Sequence, residues 1–472
     1  SSYNDYDGVP ITGSYHFLTE ILRHEWGFRG YVVSDSEAVE YLYSKHKVAD
    51  DAVDAAAQVV NAGLDVRTNF SMPENFILPL RQAIAEGRVS MQTIDSRVSN
   101  VLRVKFLMGL FDNPYKGDNR HPEKVVHSKE HQAVSLRAAL ESIVLLKNEG
   151  GILPLSRSLK HVAVIGPNAD ERHNLICRYG PANAPIKTIY EGIKEYLPEA
   201  DVRYAKGADI IDKHFPESEL YDVPLDAGEQ AMLDEAVALA RSSEVAILVL
   251  GGNEKTVREE YSRTDLDLCG RQEELLRAVC ATGTPVILVL VDGRAATINW
   301  AARYVPGIVH AWFPGEFMGQ AVAKVLFGEY NPGGKLAVTF PKTVGQVPFA
   351  FPFKPGSNSK GFVRVDGPLY PFGYGLSYTT FAYSDLRIKN PVTGVQGNVG
   401  LSCRVKNTGG VAGDEVVQLY LRDEVSSVTT YVKVLRGFER IHLEPGEEKE
   451  VRFTLTPQDL GLWNRDNRFV VE

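Results

Sequence analysis

Four short apolar runs recur between about residues 129 and 345, with helix-forming stretches between them: HVAVIG, EVAILVLGG, PVILVLVDG and GIVHAWFPG. Each ends in glycine or a turn residue. Continuous aliphatic runs without polar alternation fit strands buried on both faces, and intervening helices provide the crossovers that parallel pairing needs. This stretch predicts an α/β domain with a largely parallel sheet.

The chain has 472 residues, whereas single cores stop growing near ~250–300 residues, so further domains are expected. Upstream, residues 14–28 place Phe17, Leu18, Ile21, Leu22 and Trp26 on one face at helical spacing, and Gly27 and Gly30 lead into the apolar run Tyr31-Val32-Val33. An Ala-rich helix over about 49–62, the segment GLDV and two further helical stretches to residue 111 continue the alternation. The segment DNPYKGDNRHPEK has no apolar period and reads as a linker. Beyond a Pro- and Gly-rich stretch, VGLSCRVKN, EVVQLYLRD and KEVRFTLTP alternate in polarity between turn signals, which predicts an antiparallel sandwich. The expected boundaries are 1–111, a linker over 112–128, an α/β domain over 129–345, a linker over 346–375 and a sandwich over 376–472. No fixed-period repeat or low-complexity tract points to a solenoid or tether.

Hydrophobic residues make up 44% and charged residues 24% of the chain, which suits a globular protein. A formal net charge of −9 offers no general attraction to phosphate backbones or anionic lipid, so neither nucleic acid nor membrane is an expected partner. Cys177, Cys269, Cys280 and Cys403 form no CxxC pair, no His is spaced for structural zinc, and no HExxH occurs, so no metal is expected. There is no apolar run of bilayer length, and SSYNDYDGVP lacks the features of a signal peptide and reads as mid-protein.

Two carboxylates stand out. Asp35 follows Tyr31-Val32-Val33, where α/β barrels place catalytic groups at the carboxyl ends of parallel strands; Ser34 or Asp35 could equally cap the next helix. Glu259 lies in EKTVREEYSRTD, after EVAILVLGG and before a helix starting near Gln272. A long loop there can reach over a neighbouring site, although adjacent charges are ordinarily a solvated cluster.

Ordered motifs over nearly the whole chain bear on this choice. They are SYNDYDGVPITGSYHFLTEILRHEWGFRGYVVSD, NAGLDV, IDSRVSNVLRVKFLMGLFDNPY, VLLKNEGGILPL, VAVIGPNAD, WFPGEFMGQAVAKVLFGEYNPGGKLAVTFP and PFGYGLSYTTF. In this order they resemble the carboxyl-terminal portion of glycoside hydrolase family 3, the β-glucosidase and β-xylosidase family. VKNTGGVAGDEVVQLYL and LRGFERIHLEPGEEKEVRFTL resemble its fibronectin type III-like module. The resemblance implies the end of a (β/α)8 barrel over 1–111, with Asp35 as nucleophile and Tyr3 lining the sugar site. It implies an acid/base four residues before an arginine in a pattern close to Glu-Gly-x-Asp-Arg, hence Glu259 with Tyr261 and Arg263. Glu260 and Ser262 depart from that pattern, and Glu260 is a rival by adjacency.

By the same resemblance the activity is that of a retaining exo-acting β-glycosidase, releasing terminal non-reducing β-D-glucose from β-glucosides or oligosaccharides. Retaining hydrolysis uses two carboxylates about 5–5.5 Å apart, one attacking the anomeric carbon and the other donating to the leaving oxygen, and needs no cofactor. Asp35 would stay ionised while Glu259 holds a proton. Ser36 stands where many family β-glucosidases carry Trp; β-xylosidases commonly have a small residue there, so xylose is the alternative sugar. A family barrel needs about eight strand–helix units, of which the last two are recognised here. The amino-terminal part is thus expected on another chain or outside this sequence. Family members are usually periplasmic or secreted, and a homodimer is open. A reading of another class is a non-catalytic carbohydrate-binding or scaffold protein. A nucleotide loop at VLGGNE lacks both GxGxxG and a Walker lysine.

Overall fold

The amino-terminal part is mostly helical, with two short antiparallel strands, Asp5–Tyr6 and Val9–Pro10, ahead of the helices. The structure, a computed structural model, describes residues 1–115, 121–172, 180, 184–221, 223–259, 261–356, 364–389 and 394–472. Cys177 and Glu260 therefore lie outside the described residues. Contacts divide the chain into two units, Ser1–Val126 and His127–Glu472.

In the first unit the Ala-rich stretch forms helix α1, Ala52–Ala62. Asp51 starts it by accepting from the amides of Val53 and Asp54, and Gly63 ends it at φ 129°. Helices α2, Glu74–Ala85, and α3, Met91–Leu107, follow, and Ser90 caps α3. The helix expected over 14–28 forms at His16–Glu25, but it is wound as a π-helix that closes with Trp26 N donating to Ile21 O. The wider winding keeps Leu18 buried and Leu22 packed beside it. Trp26, which 3.6-residue spacing puts on the apolar face, lies just past the helix end and is 75% exposed. Val33 and Val66 pair in parallel, so the run before Asp35 lies beside GLDV.

Asp65 ties these pieces together. Its inaccessible carboxylate accepts from Val32 N (2.7 Å), an Arg23 guanidinium nitrogen (2.6 Å) and Asn100 Nδ2 (2.9 Å), linking the π-helix, the strand and α3. A buried carboxylate is tolerated when its lone pairs are satisfied and an opposite charge is in contact.

The second unit holds a six-stranded sheet. Its strands are β1 Val144–Asn148, β2 His161–Ile165, β3 Asp201–Ala205, β4 Val245–Gly251, β5 Val286–Val291 and β6 Gly307–His310. The spatial order is β1-β6-β5-β4-β2-β3, parallel throughout except for β1, which runs antiparallel to β6. β2, β4, β5 and β6 are the four apolar runs; β1 and β3 are the edges. One face packs against helices α4 Lys129–Ser142, α5 Ile189–Tyr196 and α9 Met318–Leu326. The other packs against α6 Ala227–Arg241, α7 Gln272–Cys280 and α8 Asn299–Tyr304. With both faces covered, alternate residues of one strand enter different cores: Ile247 and Val249 one, Leu248 and Leu250 the other.

α5 and α9 cross where Gly192 meets Gly319. A Cβ on Gly192 would stand 2.2 Å from the Gly319 backbone, and one on Gly319 would stand 2.2 Å from Thr188 O. Late in the stretch 346–375 the chain meets the sheet at Tyr374, whose hydroxyl donates to Leu146 O of β1 (3.1 Å), and Leu376 just beyond it pairs antiparallel with Leu145. A sandwich follows, with β7 Phe381–Lys389, β8 Val399–Asn407 and β11 Glu448–Leu455 in one sheet, and β9 Gly413–Leu421 with β10 Val434–Leu443 in the other. Val405, Val417, Ile441, Leu443 and Val451 fill it. Buried Asn407 joins its corner, donating to Val411 O and Leu443 O and accepting from Thr379 Oγ1.

Two stability predictions follow from this packing. Gly192→Ala is expected to destabilise the second unit by about 2–3 kcal/mol, because two helix backbones must separate; Gly192→Ala melting at the wild-type temperature would show that the crossing has slack. His310, at the end of β6, is fully buried with Trp312 and Phe340 rings against it at 4.1 and 5.3 Å, and burial pushes its pKa down to about 3. The unfolded chain takes up this proton near pH 6.5 and the folded one does not, so stability is full above that value and falls as the pH drops, by about 2 kcal/mol between pH 7 and pH 5. His310→Leu is expected to flatten that part of the unfolding-versus-pH curve; an unchanged slope would place the acid sensitivity elsewhere.

Candidate active site

The pairing of Val33 with Val66 fixes where Asp35 emerges. Ser34 N donates to Val66 O (2.9 Å) and Thr68 N donates to Ser34 Oγ (2.9 Å), so Ser34 ends the strand by bonding its neighbour and caps no helix. Asp35 is exposed at that end, and its Oδ1 accepts from the adjacent Ser36 amide (2.7 Å). The next short helix, Tyr41–Ser44, begins after Glu40 with no side-chain cap, which removes the capping explanation for Asp35. Ser36 is half-buried beside it, and Glu37 takes a left-handed φ of 61°, a conformation uncommon outside glycine and asparagine.

The same turn is braced from behind. Glu40 accepts from Arg67 through Nε (2.7 Å) and a terminal nitrogen (2.5 Å), and Arg67 also donates to Ser71 Oγ (2.6 Å). Asp35 N donates to Ser1 O (2.9 Å), which brings the first residues alongside. Tyr3 packs edge-on against Tyr41 (6.1 Å between centroids), and its carbonyl accepts from His46 Nε2 (2.8 Å). The first residues thus lie beside the turn that carries Asp35 and Ser36, and Tyr3 is 37% exposed.

In the second unit, Glu259 and Tyr261 lie on the loop after β4. Its root is buried: Gln272 accepts from Gly251 N and donates to Gly251 O, Asn168 Nδ2 donates to Gly252 O, and Asn253 N donates to Thr256 Oγ1. Its far side is held by Arg263, whose Nε donates to Glu219 Oε1 (2.5 Å) in an ion pair with side chains only 7% and 5% exposed. Glu219 also accepts from Thr264 N and Oγ1. Glu259 itself is exposed, and Tyr261 is partly exposed with the Arg258 guanidinium 4.2 Å over its ring. Arg263 is therefore the anchor, and Glu259 is what the anchored loop displays.

Beneath the loop, Asp292 at the end of β5 is almost wholly buried, and burial pushes its carboxyl pKa up to about 6 against the pull of Arg263 and Arg294. Arg294 N donates to Asp292 Oδ1 (2.8 Å). Glu219, Arg294, Glu40 and Arg67 were not foreseen in the sequence. Arg294 had a faint signal, standing next to the strand-ending DG of PVILVLVDG; Glu219 sits in an aperiodic stretch with none. Among the described residues no group of three His, Cys, Asp or Glu is placed to hold a metal ion.

Comparison with known proteins identifies the family. Residues 1–104 match the glycosyl hydrolase family 3 N terminal domain, 143–378 the family 3 C-terminal domain and 415–472 the fibronectin type III-like domain. The chain is 39% identical to a beta-xylosidase of Formosa agariphila over 100% of its own length and 65% of that protein. It is 38% identical to a periplasmic beta-glucosidase of Salmonella typhimurium over 99% of its length and 64% of that protein. A solved β-glucosidase structure from Erythrobacter marinus superposes with a TM-score of 0.90 at 37% identity, covering 100% of this chain and 64% of the other. The chain thus spans less than two thirds of the length of these relatives. With three family segments matched in order, the largest covering half of the chain, the protein belongs to glycosyl hydrolase family 3.

Proposed function

We propose that this chain carries both catalytic carboxylates of a retaining, exo-acting β-glycosidase that releases terminal β-D-glucose by double displacement. Asp35 attacks the anomeric carbon, with the sugar leaving group taking the electron pair of the broken glycosidic bond. Glu259 gives its proton to the departing oxygen and then removes a proton from the water that hydrolyses the glycosyl-enzyme. Tyr3 and Tyr261 supply aromatic faces for the apolar side of a sugar ring. The observation that carries the reading is the contrast between Glu219, on the segment after β3, and Glu259, on the loop after β4. Glu219 is buried to hold Arg263, while Glu259, four residues before that arginine, is left exposed to act.

In this reading residues 1–111 form the last part of a (β/α)8 barrel, 129–345 the domain bearing the acid/base and 376–472 a supporting module. The remaining barrel strands belong to a part of the protein outside this sequence or to a second chain. No helix among the described residues is long and apolar enough to cross a membrane, and the name of the Salmonella relative favours a periplasmic or secreted setting. Ser36 in place of an aromatic platform favours β-xylosidase as the second reading, as does the name of the Formosa relative.

The test is hydrolysis of nitrophenyl β-glucoside and β-xyloside by the protein with its barrel complete. Asp35→Asn is expected to fall to background, and Glu259→Gln to lose about 10²–10⁴-fold, with the glucoside turned over faster. Faster turnover of the xyloside selects the second reading; an unimpaired Asp35→Asn variant refutes the nucleophile assignment.

A further inference from the structure

We infer that Arg294 is the positioning residue of the acid/base, a clamp that fixes the short arc carrying Glu259. This rests on the assignment of Glu259 made above. The Arg294 side chain grips this arc on both sides of Glu259: Nε donates to Thr256 O (3.0 Å) and a terminal nitrogen donates to Tyr261 O (3.0 Å). The base of the clamp is itself fixed, because Arg294 N donates to Asp292 Oδ1 at the end of β5. The displayed carboxylate is therefore referred, through one side chain, to the rigid sheet.

The chemistry of arginine explains why this residue suits the task. A planar guanidinium donates in two directions from a pre-organised fork, whereas a lysine ammonium is a point donor on a flexible stem. Two charge-assisted hydrogen bonds to carbonyls on either side of a catalytic residue close the arc as a staple would. The root contacts of Asn253 and Thr256 hold the loop before the arc, and Arg263 with Glu219 holds it after. Arg294 spans the interval between them. A proton donor needs its oxygen placed within hydrogen-bond reach of the leaving group, so slack in this arc acts most strongly on proton donation, with a smaller loss through Tyr261 that is equal for all leaving groups.

That selectivity gives the test. Arg294→Ala, Arg294→Lys and Glu259→Gln are compared with wild type in the barrel-complete protein, across aryl β-glucosides whose leaving groups run from dinitrophenol to phenol. Leaving groups that depart without protonation bypass the donor. Arg294→Ala is expected to lose about 10–10²-fold in kcat/KM on the phenyl glucoside and less than about 3-fold on the dinitrophenyl one, with Arg294→Lys between it and wild type. Amide hydrogen exchange over residues 257–261 is expected to quicken in Arg294→Ala, with the exchange of β4 and β5 unchanged. An equal loss on all leaving groups, or no loss, would overturn the clamp while Glu259→Gln keeps its steep dependence. If Glu259→Gln shows no dependence, the acid/base assignment falls and the clamp with it. Arg294→Lys keeps the charge and most of the volume, so it reports on geometry even if Arg294→Ala folds poorly.

Discussion

A sheet covered by helices on both faces meets solvent at its edges and at the ends of its strands, and chemistry can be placed nowhere else on it. In the second unit this condition is strict: every residue of β4, β5 and β6 is buried. Polar function therefore collects at the carboxyl ends, where Asn253, Asp292 and the loop after β4 begin. The first unit obeys the same rule on a smaller scale, since Asp35 is the first exposed carboxylate after a strand whose other side is tied down by Asp65.

What the loop after β4 gains from its surroundings is stiffness, and the source is electrostatic. A buried ion pair such as Arg263 with Glu219 is weak evidence for net stability, because desolvation offsets much of the attraction. It is nonetheless costly to break, since either partner alone would leave an uncompensated buried charge. The pair thus resists local opening more than it favours folding, which gives the exposed stretch of the loop a fixed frame.

Much of this was legible in the sequence, for identifiable reasons. Strands with both faces buried announce themselves as unbroken aliphatic runs, and β2, β4, β5 and β6 were read in this way. β1 and β3 were missed: edge strands are short and carry polar residues, such as Lys147 and Asn148 or Asp201 and Arg203, that blur the pattern. The helix before Asp35 was placed correctly, but its winding was invisible because one extra residue per closed loop leaves the apolar composition unchanged. Trp26, placed by its spacing on the apolar face, lies past the helix end and is exposed. Glu259 and Arg263 were singled out through the family resemblance, whereas Glu219 and Arg294, which hold the same loop, come from other segments, forty or so and thirty or so residues away. Contacts of that range are set by topology and leave no local trace.

The edges of the sheet also bear on how this protein behaves when crowded. An open strand edge is a template on which a second molecule can add a strand. At β1 the chain's own Leu376 already occupies that position, pairing with Leu145. At β3 the outward residues Asp201 and Arg203 form an ion pair at 3.0 Å, which puts hydrated charge where an incoming strand would have to dock. One edge is partly occupied and the other is charged, which guards a sheet built almost entirely of aliphatic strands against extension by neighbouring molecules.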